Sequence, residues 1–279
     1  MIRPRMLAAY KQRASKLFAE AILSLSNCDQ FAGMDALVYL AAFRPRITDV
    51  IAQDLFLLEN SQSDSKRAVI VGGWPGVTSL ALTLAGFETV LVDHPSVLSE
   101  QSRVGLRRLG VETLAIKMEE LSESVEFKKL GPVALVECCE CIEHWNFCPK
   151  PHLESMVQLI ERNSGRLFVT VPNIASLYQR ARLLFGKSIY CDLAAFEKEL
   201  REPKDRAFER HWREYTKAEL VALVNASGAK VDSVWYQFHP RLDKRGLLRT
   251  CFNLTQRLCA PFREHVGIVA LRYDYADGG

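Results

Sequence analysis

No stretch of this chain is apolar for long enough to cross a bilayer, and none carries a recognisable nucleic-acid-binding motif. The opening "MIRPRMLAAYKQRASKLF" sets five basic residues before the first acid but lacks a continuous apolar core of the signal-peptide kind. A formal net charge of +3 is too small to argue for a polyanionic partner by itself. Internal repeats and low-complexity tracts are also missing. Eight cysteines are present (Cys28, Cys138, Cys139, Cys141, Cys148, Cys191, Cys251 and Cys259), but their uneven scatter supplies no disulfide framework. These absences lead to the expectation of a reduced, cytoplasmic protein with no nucleic-acid partner.

What is there is a chain of 279 residues, 48% apolar, able to bury one substantial core. Residues 1–60 show helical apolar spacing, as at Leu17, Ala21, Ile22 and Leu25, and read as a helical lead-in. Polar "ENSQSDSKR" breaks the pattern, so the main domain is expected over 67–279. From Arg67 onward strand and helix signals alternate. Strands are expected at Ala68 to Val71, Thr89 to Val92, Thr113 to Ile116, Val133 to Glu137 and Arg166 to Val171, with helices at Val77 onward, Val97 to Leu109 and His152 to Arg162. Thr216 with Glu219 three residues on opens a late helix as a capping box, a strand follows, and "GIVALRY" ends the series after an arginine-rich loop. Such alternation implies an α/β, doubly wound sheet with helices on both faces.

The first strand leads into Gly72-Gly73-Trp74-Pro75-Gly76. In an open parallel sheet, ligands bind beyond the carboxyl ends of the strands, and glycines at the first turn let backbone N–H groups approach them. Asp93 ends the second strand, where a carboxylate can accept hydrogen bonds from both hydroxyls of a ribose. Taken alone, the turn is equally well read as a tight turn with Asp93 capping a helix.

"VALVECCECIEHW", followed by "SGRLFVTVPNIASL" and "HWREYTKAELVALVNASGAKV", resembles class I S-adenosylmethionine-dependent methyltransferases with a Glu-x-x-Glu-His segment after the fourth strand. The resemblance spans roughly residues 67–238. It implies a seven-stranded, mostly parallel, Rossmann-like sheet with a reversed final strand, S-adenosylmethionine as cofactor, and methyl transfer. Carried over, Gly72, Gly73 and Gly76 lie beside the methionine part of the cofactor and Asp93 takes its ribose. Met118 and Glu119 line the adenine, and Glu137 and Glu140 close the pocket. The chain departs from the family at Ile70, where an acid is usual, and at Trp74, where a glycine is usual.

Several residues remain as acid, base or substrate candidates. His144, after Glu140 and Glu143, is the leading proton acceptor for a hydroxyl substrate, the alternative being a packing or capping role. His211, Arg213 and Tyr215 in "ERHWREYT" fall where the family closes over its active site and are expected to orient the acceptor, as is Asn173 after the fifth strand. Cys138 and Cys141 have C-x-x-C spacing without a second ligand pair, so no metal is expected there. An insertion at about 174–214 joins Arg180, Arg182 and Lys187 to Leu177, Leu183, Leu184 and Phe185. Both this segment and the later "HPRLDKRGLLRTCFNLTQRLCAPFREH" fit either a lid on the core or a peripheral membrane contact that receives a lipid-linked substrate.

The expected function is therefore methyl transfer, with O-methylation first, onto a small-molecule or glycan-like acceptor. Two rivals stand beside it. A nicotinamide-dependent Rossmann oxidoreductase shares the turn and the ribose acid but needs a G-x-G-x-x-G that is absent. A noncatalytic methyltransferase-like subunit is favoured by Ile70 and Trp74.

Overall fold

The computed structural model describes residues 4–31, 40, 43–190, 193–194, 197, 210–238 and 247–272. Cys191, most of the expected insertion between 191 and 209, and residues 239–246 of the second basic stretch lie outside the described residues.

Seven strands form one sheet in the order β3-β2-β1-β4-β5-β7-β6. They are β1 (Arg67–Val71), β2 (Glu88–Asp93), β3 (Glu112–Ala115), β4 (Leu135–Cys139), β5 (Arg166–Pro172), β6 (Ala229–Gln237) and β7 (His265–Arg272). The contacts among β1 to β5 are parallel, and β7 runs antiparallel to both β5 and β6. The final strand is the reversed one, as the resemblance implied. The order turns around between β1 and β4, so the crevice above their carboxyl ends is the natural ligand seat.

Strand residues alternate between two cores, as a sheet covered on both faces requires. Val69, Val71, Val136 and Val169 face one side, where α5 (Val125–Lys128) places Phe127, α6 (Lys150–Leu159) places Leu153 and Met156, and α8 (Lys217–Ala226) places Leu220 and Val224. Ala68, Ile70, Leu91, Leu135 and Phe168 face the other. That second core is completed by α1 (Pro4–Ser26), α2 (Arg44–Glu59), α3 (Val77–Leu84) and α4 (Glu100–Arg108), through residues such as Leu25, Ile51, Leu55, Leu80 and Leu106. The lead-in helices α1 and α2 thus share one side of the sheet's cover with α3 and α4.

Helix α8 starts as its sequence predicts: Glu219 N–H donates to Thr216 Oγ1 at 3.2 Å while Glu219 Oε2 accepts from Thr216 N–H at 2.9 Å. Two expectations shift. The fourth strand begins and ends two residues later than the apolar run suggested, which puts Glu137 inside it. The arginine-rich stretch expected as a loop contains a helix, α9 (Leu247–Leu258), and the insertion opens with another, α7 (Leu177–Leu184).

Because α2 shares a core with the sheet, truncating Leu55, which has no solvent exposure, should destabilise the whole fold. Leu55→Ala should cost about 2–5 kcal/mol, read as a lower urea midpoint in a single transition with unchanged slope. A parental midpoint would mean that the N-terminal helices are dispensable to the sheet.

Candidate functional site

The turn after β1 is built on two glycines in the left-handed region, Gly72 at φ 76° and Gly76 at φ 94°. A Cβ on Gly72 would lie 2.3 Å from Cys141 Sγ, so this turn passes against the segment leaving β4 with no room for a side chain. Asp93, at the end of β2, points back into the turn: one carboxylate oxygen accepts the Trp74 N–H at 2.9 Å and the other accepts the His94 N–H at 2.7 Å. Burial raises its pKa to about 6 although both N–H donors pull it down. Each oxygen keeps lone-pair capacity for a ligand hydroxyl. The Trp74 ring packs against the second core, and its indole N–H is buried with no acceptor.

Strand β4 delivers three acids in succession. Glu137 points to the face covered by α2 and meets Asp54, at 3% and 0% exposure respectively. Neither Asp54 oxygen, nor Oε2 of Glu137, finds a donor while both acids are ionised. Burial raises both pKa values, that of Glu137 to about 7 although Asp54 and Cys139 pull it down, and the neighbouring Glu137 pushes Asp54 up further. Glu140 sits at a positive φ of 51°. Its carboxylate takes the Thr170 hydroxyl at 3.0 Å, His265 Nε2 at 3.1 Å and Arg46 Nη1 at 3.4 Å. Burial alone would raise its pKa, but His265, Arg46 and Thr170 outweigh burial and hold it at about 2. Glu140 is therefore a fixed anion that ties β4, β5, β7 and α2 together.

Glu143 lies in the single 3₁₀ turn Ile142–His144. It has no solvent exposure, and neither carboxylate oxygen has a hydrogen-bond partner. Burial first, and then the charge on Glu140, push its pKa well up. His144 Nδ1 lies 3.1 Å from the Arg210 carbonyl oxygen, which can only accept, so that nitrogen carries the proton and Nε2 keeps a lone pair 3.9 Å from Glu143 Oε1. Burial, then His211, lower the His144 pKa to about 4, so the ring is neutral at physiological pH. His211 stacks edge-on to His144 at 4.8 Å and bonds Glu214 through Nδ1 at 3.2 Å. One ligand atom from each of Glu143, His144 and His211 falls within 4.8 Å of the others. A carboxylate and two imidazoles so placed can hold a divalent cation or relay a proton.

The segment bearing His211 is clamped to this turn by the Trp212 and Arg213 N–H groups, which donate to the Glu143 carbonyl at 2.7 and 3.3 Å. Beside it opens a cleft of about 650 Å³, whose lining includes Trp145, Phe147, Ile174, Tyr190, Trp212 and Arg213. Two of these aromatic residues, Trp145 and Trp212, directly follow His144 and His211 in sequence, while the histidines themselves do not line the cleft.

The other residues singled out from sequence occupy less engaged positions. Met118 is 1% exposed and packs in the core, and Glu119 is exposed beside it. Asn173 is 2% exposed, and its amide is committed to the chain: the NH2 donates to the Pro261 and Arg263 carbonyls, and Oδ1 accepts the Ala175 N–H. Arg213 pairs with Glu219 at 2.8 Å, and Tyr215 is buried with the Arg213 guanidinium over its ring. Cys138 and Cys141 are buried free thiols, and Cys139 faces the opposite core. Sequence reasoning named no role for Asp54, Arg46 or His265, because they reach the site from elements far along the chain. Glu143 was visible beside His144, but its orphaned carboxylate emerges only from packing.

No protein-family model matches the chain, and no curated protein matches it. Its fold does match solved structures. An S-adenosylmethionine-dependent methyltransferase from Clostridium acetobutylicum aligns with a TM-score of 0.51 at 10% identity, over 81% of this chain and 90% of the other. An O-methyltransferase family protein from Burkholderia thailandensis aligns at 0.50 and 12% identity, over 86% of this chain and 58% of the other. A chain from the complex between the Haloferax volcanii Trm112 methyltransferase activator and a methyltransferase aligns at 0.50 and 11% identity, over 80% and 89%. At such identities the likeness is one of fold: this chain has the fold found in methyltransferases.

Proposed function

We propose that the chain is an S-adenosylmethionine-dependent methyltransferase acting on a small-molecule or glycan-like acceptor, with oxygen as the methylated atom. The observation that carries this reading is the placing of two complementary halves along one edge of the sheet. A ribose-type carboxylate, Asp93, lies at the glycine turn, and a neutral His144 with a free Nε2 lies past β4 beside an aromatic cleft. The fold of the methyltransferases above supports it.

In this reading Asp93 accepts the two ribose hydroxyls, and the Gly72 to Gly76 backbone borders the methionine end. When bound, the cofactor supplies a methyl group on a sulfonium sulfur, which needs an aligned acceptor more than it needs activation. Trp145, Phe147 and Trp212 hold the acceptor and exclude water. His144 takes the acceptor's hydroxyl proton at Nε2, which lies beside the buried Glu143 carboxyl. His211 and Arg213 position the acceptor. Glu143, His144 and His211 would be the residues to hold a divalent cation, but its binding would use the His144 Nε2 lone pair and so would replace His144 as the base. The second reading, a noncatalytic subunit with the same fold, is favoured by Ile70, whose neighbour in the sheet is Glu137.

Asp93→Ala should weaken S-adenosylhomocysteine binding by on the order of 2 kcal/mol, since two bonds to a charged acceptor are lost. A folded variant that binds like the parent would remove Asp93 from the site. The charged form accepts from both hydroxyls, and Asp93 is charged above its pKa of about 6. Parental affinity should therefore fall as pH drops through that value, and Asp93→Asn should flatten the fall. A parental titration that is flat across this range would contradict the assignment.

For His144→Gln the expectation is near-parental cofactor affinity with single-turnover methyl transfer slowed by about 10² to 10⁴. A folded variant with the parental rate would leave alignment alone as the source of catalysis.

A further inference from the structure

We propose that the tip of α7, together with α9, docks this protein on an anionic lipid bilayer. The proposal does not depend on methyl transfer. It begins with a helix that contributes no fully buried residue to either core. At its end Leu183, Leu184 and Phe185 are 58%, 81% and 76% exposed, and Tyr190 just beyond is 57% exposed. A solvated surface helix would not concentrate its large apolar side chains at one uncovered tip.

The tip is nevertheless built, not frayed. Ser176 caps the helix by accepting the Gln179 N–H. Arg182 Nε donates to the Ser188 carbonyl at 2.7 Å, and its Nη2 reaches the Tyr190 carbonyl at 3.4 Å, folding 183–190 back on the helix. Arg180 donates to the Ala175 carbonyl and lies over the Phe262 ring at 5.6 Å, which joins α7 to the turn that follows α9. Helix α9 repeats the pattern, with Leu254 and Leu258 at 53% and 81% exposure and Arg257 exposed among them.

Charge selects the occupant. Residues 172–190 and 247–263 contain no acid, while Arg180, Lys187 and Arg257 are exposed. Exposed apolar side chains on two segments whose own charged residues are all cations suit an interface of acyl chains and acidic headgroups, although Glu214 reaches Gln179 at the inner side of α7. A two-fold contact with a second copy would instead set these cations against their own kind. Tyr190 belongs to both the patch and the lining of the aromatic cleft, so the cleft would open beside the membrane surface, with a tyrosine at headgroup level.

The test is vesicle flotation of the full chain with phosphatidylcholine alone and with phosphatidylglycerol added. The expected result is binding to the anionic vesicles, weakened by high salt as screening of exposed charges requires. The paired change Leu184→Asp and Phe185→Asp should lower the partition coefficient by at least about tenfold. The pair Arg180→Glu and Lys187→Glu should abolish the preference for anionic lipid. Leu184, Phe185 and Lys187 are exposed, so the apolar variant and Lys187→Glu alone should keep the parental melting temperature. Lys187→Glu alone leaves the Arg180 bond to the Ala175 carbonyl intact and should already weaken the preference for anionic lipid. Three results would overturn the proposal: no binding of the parent to anionic vesicles, equal binding by parent and apolar variant, or a parental dimer that the apolar variant turns into monomer without changing vesicle binding.

Discussion

The arrangement rests on the cost of putting charge under a parallel sheet. Within seven residues β4 and the turn after it carry Glu137, Glu140 and Glu143, all largely removed from water. An unpaired buried carboxylate is too expensive to persist ionised, so each acid must find a partner or keep a proton. Glu137 is pushed by burial towards its protonated form beside Asp54, and Glu140 has partners. Glu143 has no solvent exposure and no side-chain partner for either oxygen, and the two imidazoles lie within 4.8 Å of it. The three solutions differ, and the difference sorts them: two are structural, and the third leaves a buried acid with unused valence where the cleft begins.

The first two solutions explain why residues before the sheet matter to it. Helix α2 brings both Asp54 and Arg46 to β4, one as a buried acid beside Glu137 and one as a cation. Beyond the apolar packing of Ile51 and Leu55, it thus compensates the charge at the exit of the strand. Ile70 acquires a meaning in the same frame. The position where an acid is usual in the resembling family is apolar here, and its partner in the sheet register is Glu137. The carboxyl group at this level of the sheet lies on β4, where α2 brings Asp54 against it.

Much of the fold was legible because its physics is local. Two-sided strands read as short apolar runs, and the Thr216 and Glu219 capping box forms as spaced. What escaped was non-local or amphipathic. Helix α9 looked like an arginine-rich loop because its apolar residues do not form a run that marks a buried face: Leu254 and Leu258 are exposed beside Arg257. The end of β4 was placed two residues early, since the run of apolar residues stops before the strand does. At the site, Asp93 and His144 stood out by position, and the structure places His211 against His144. Asn173 looked like a substrate contact and instead spends its amide on the 261–263 turn, a distinction that no short stretch of sequence contains.

The central claim is that the glycine turn and the Glu143–His144–His211 group serve one reaction from opposite sides of a crevice. A crystal structure with S-adenosylhomocysteine bound tests it most directly. The account predicts the ribose hydroxyls on Asp93 and the sulfur facing His144, with the turn at Gly72 to Gly76 retained against Cys141. Nucleoside bound away from Asp93, or a sulfur directed away from His144 and the aromatic cleft, would contradict it.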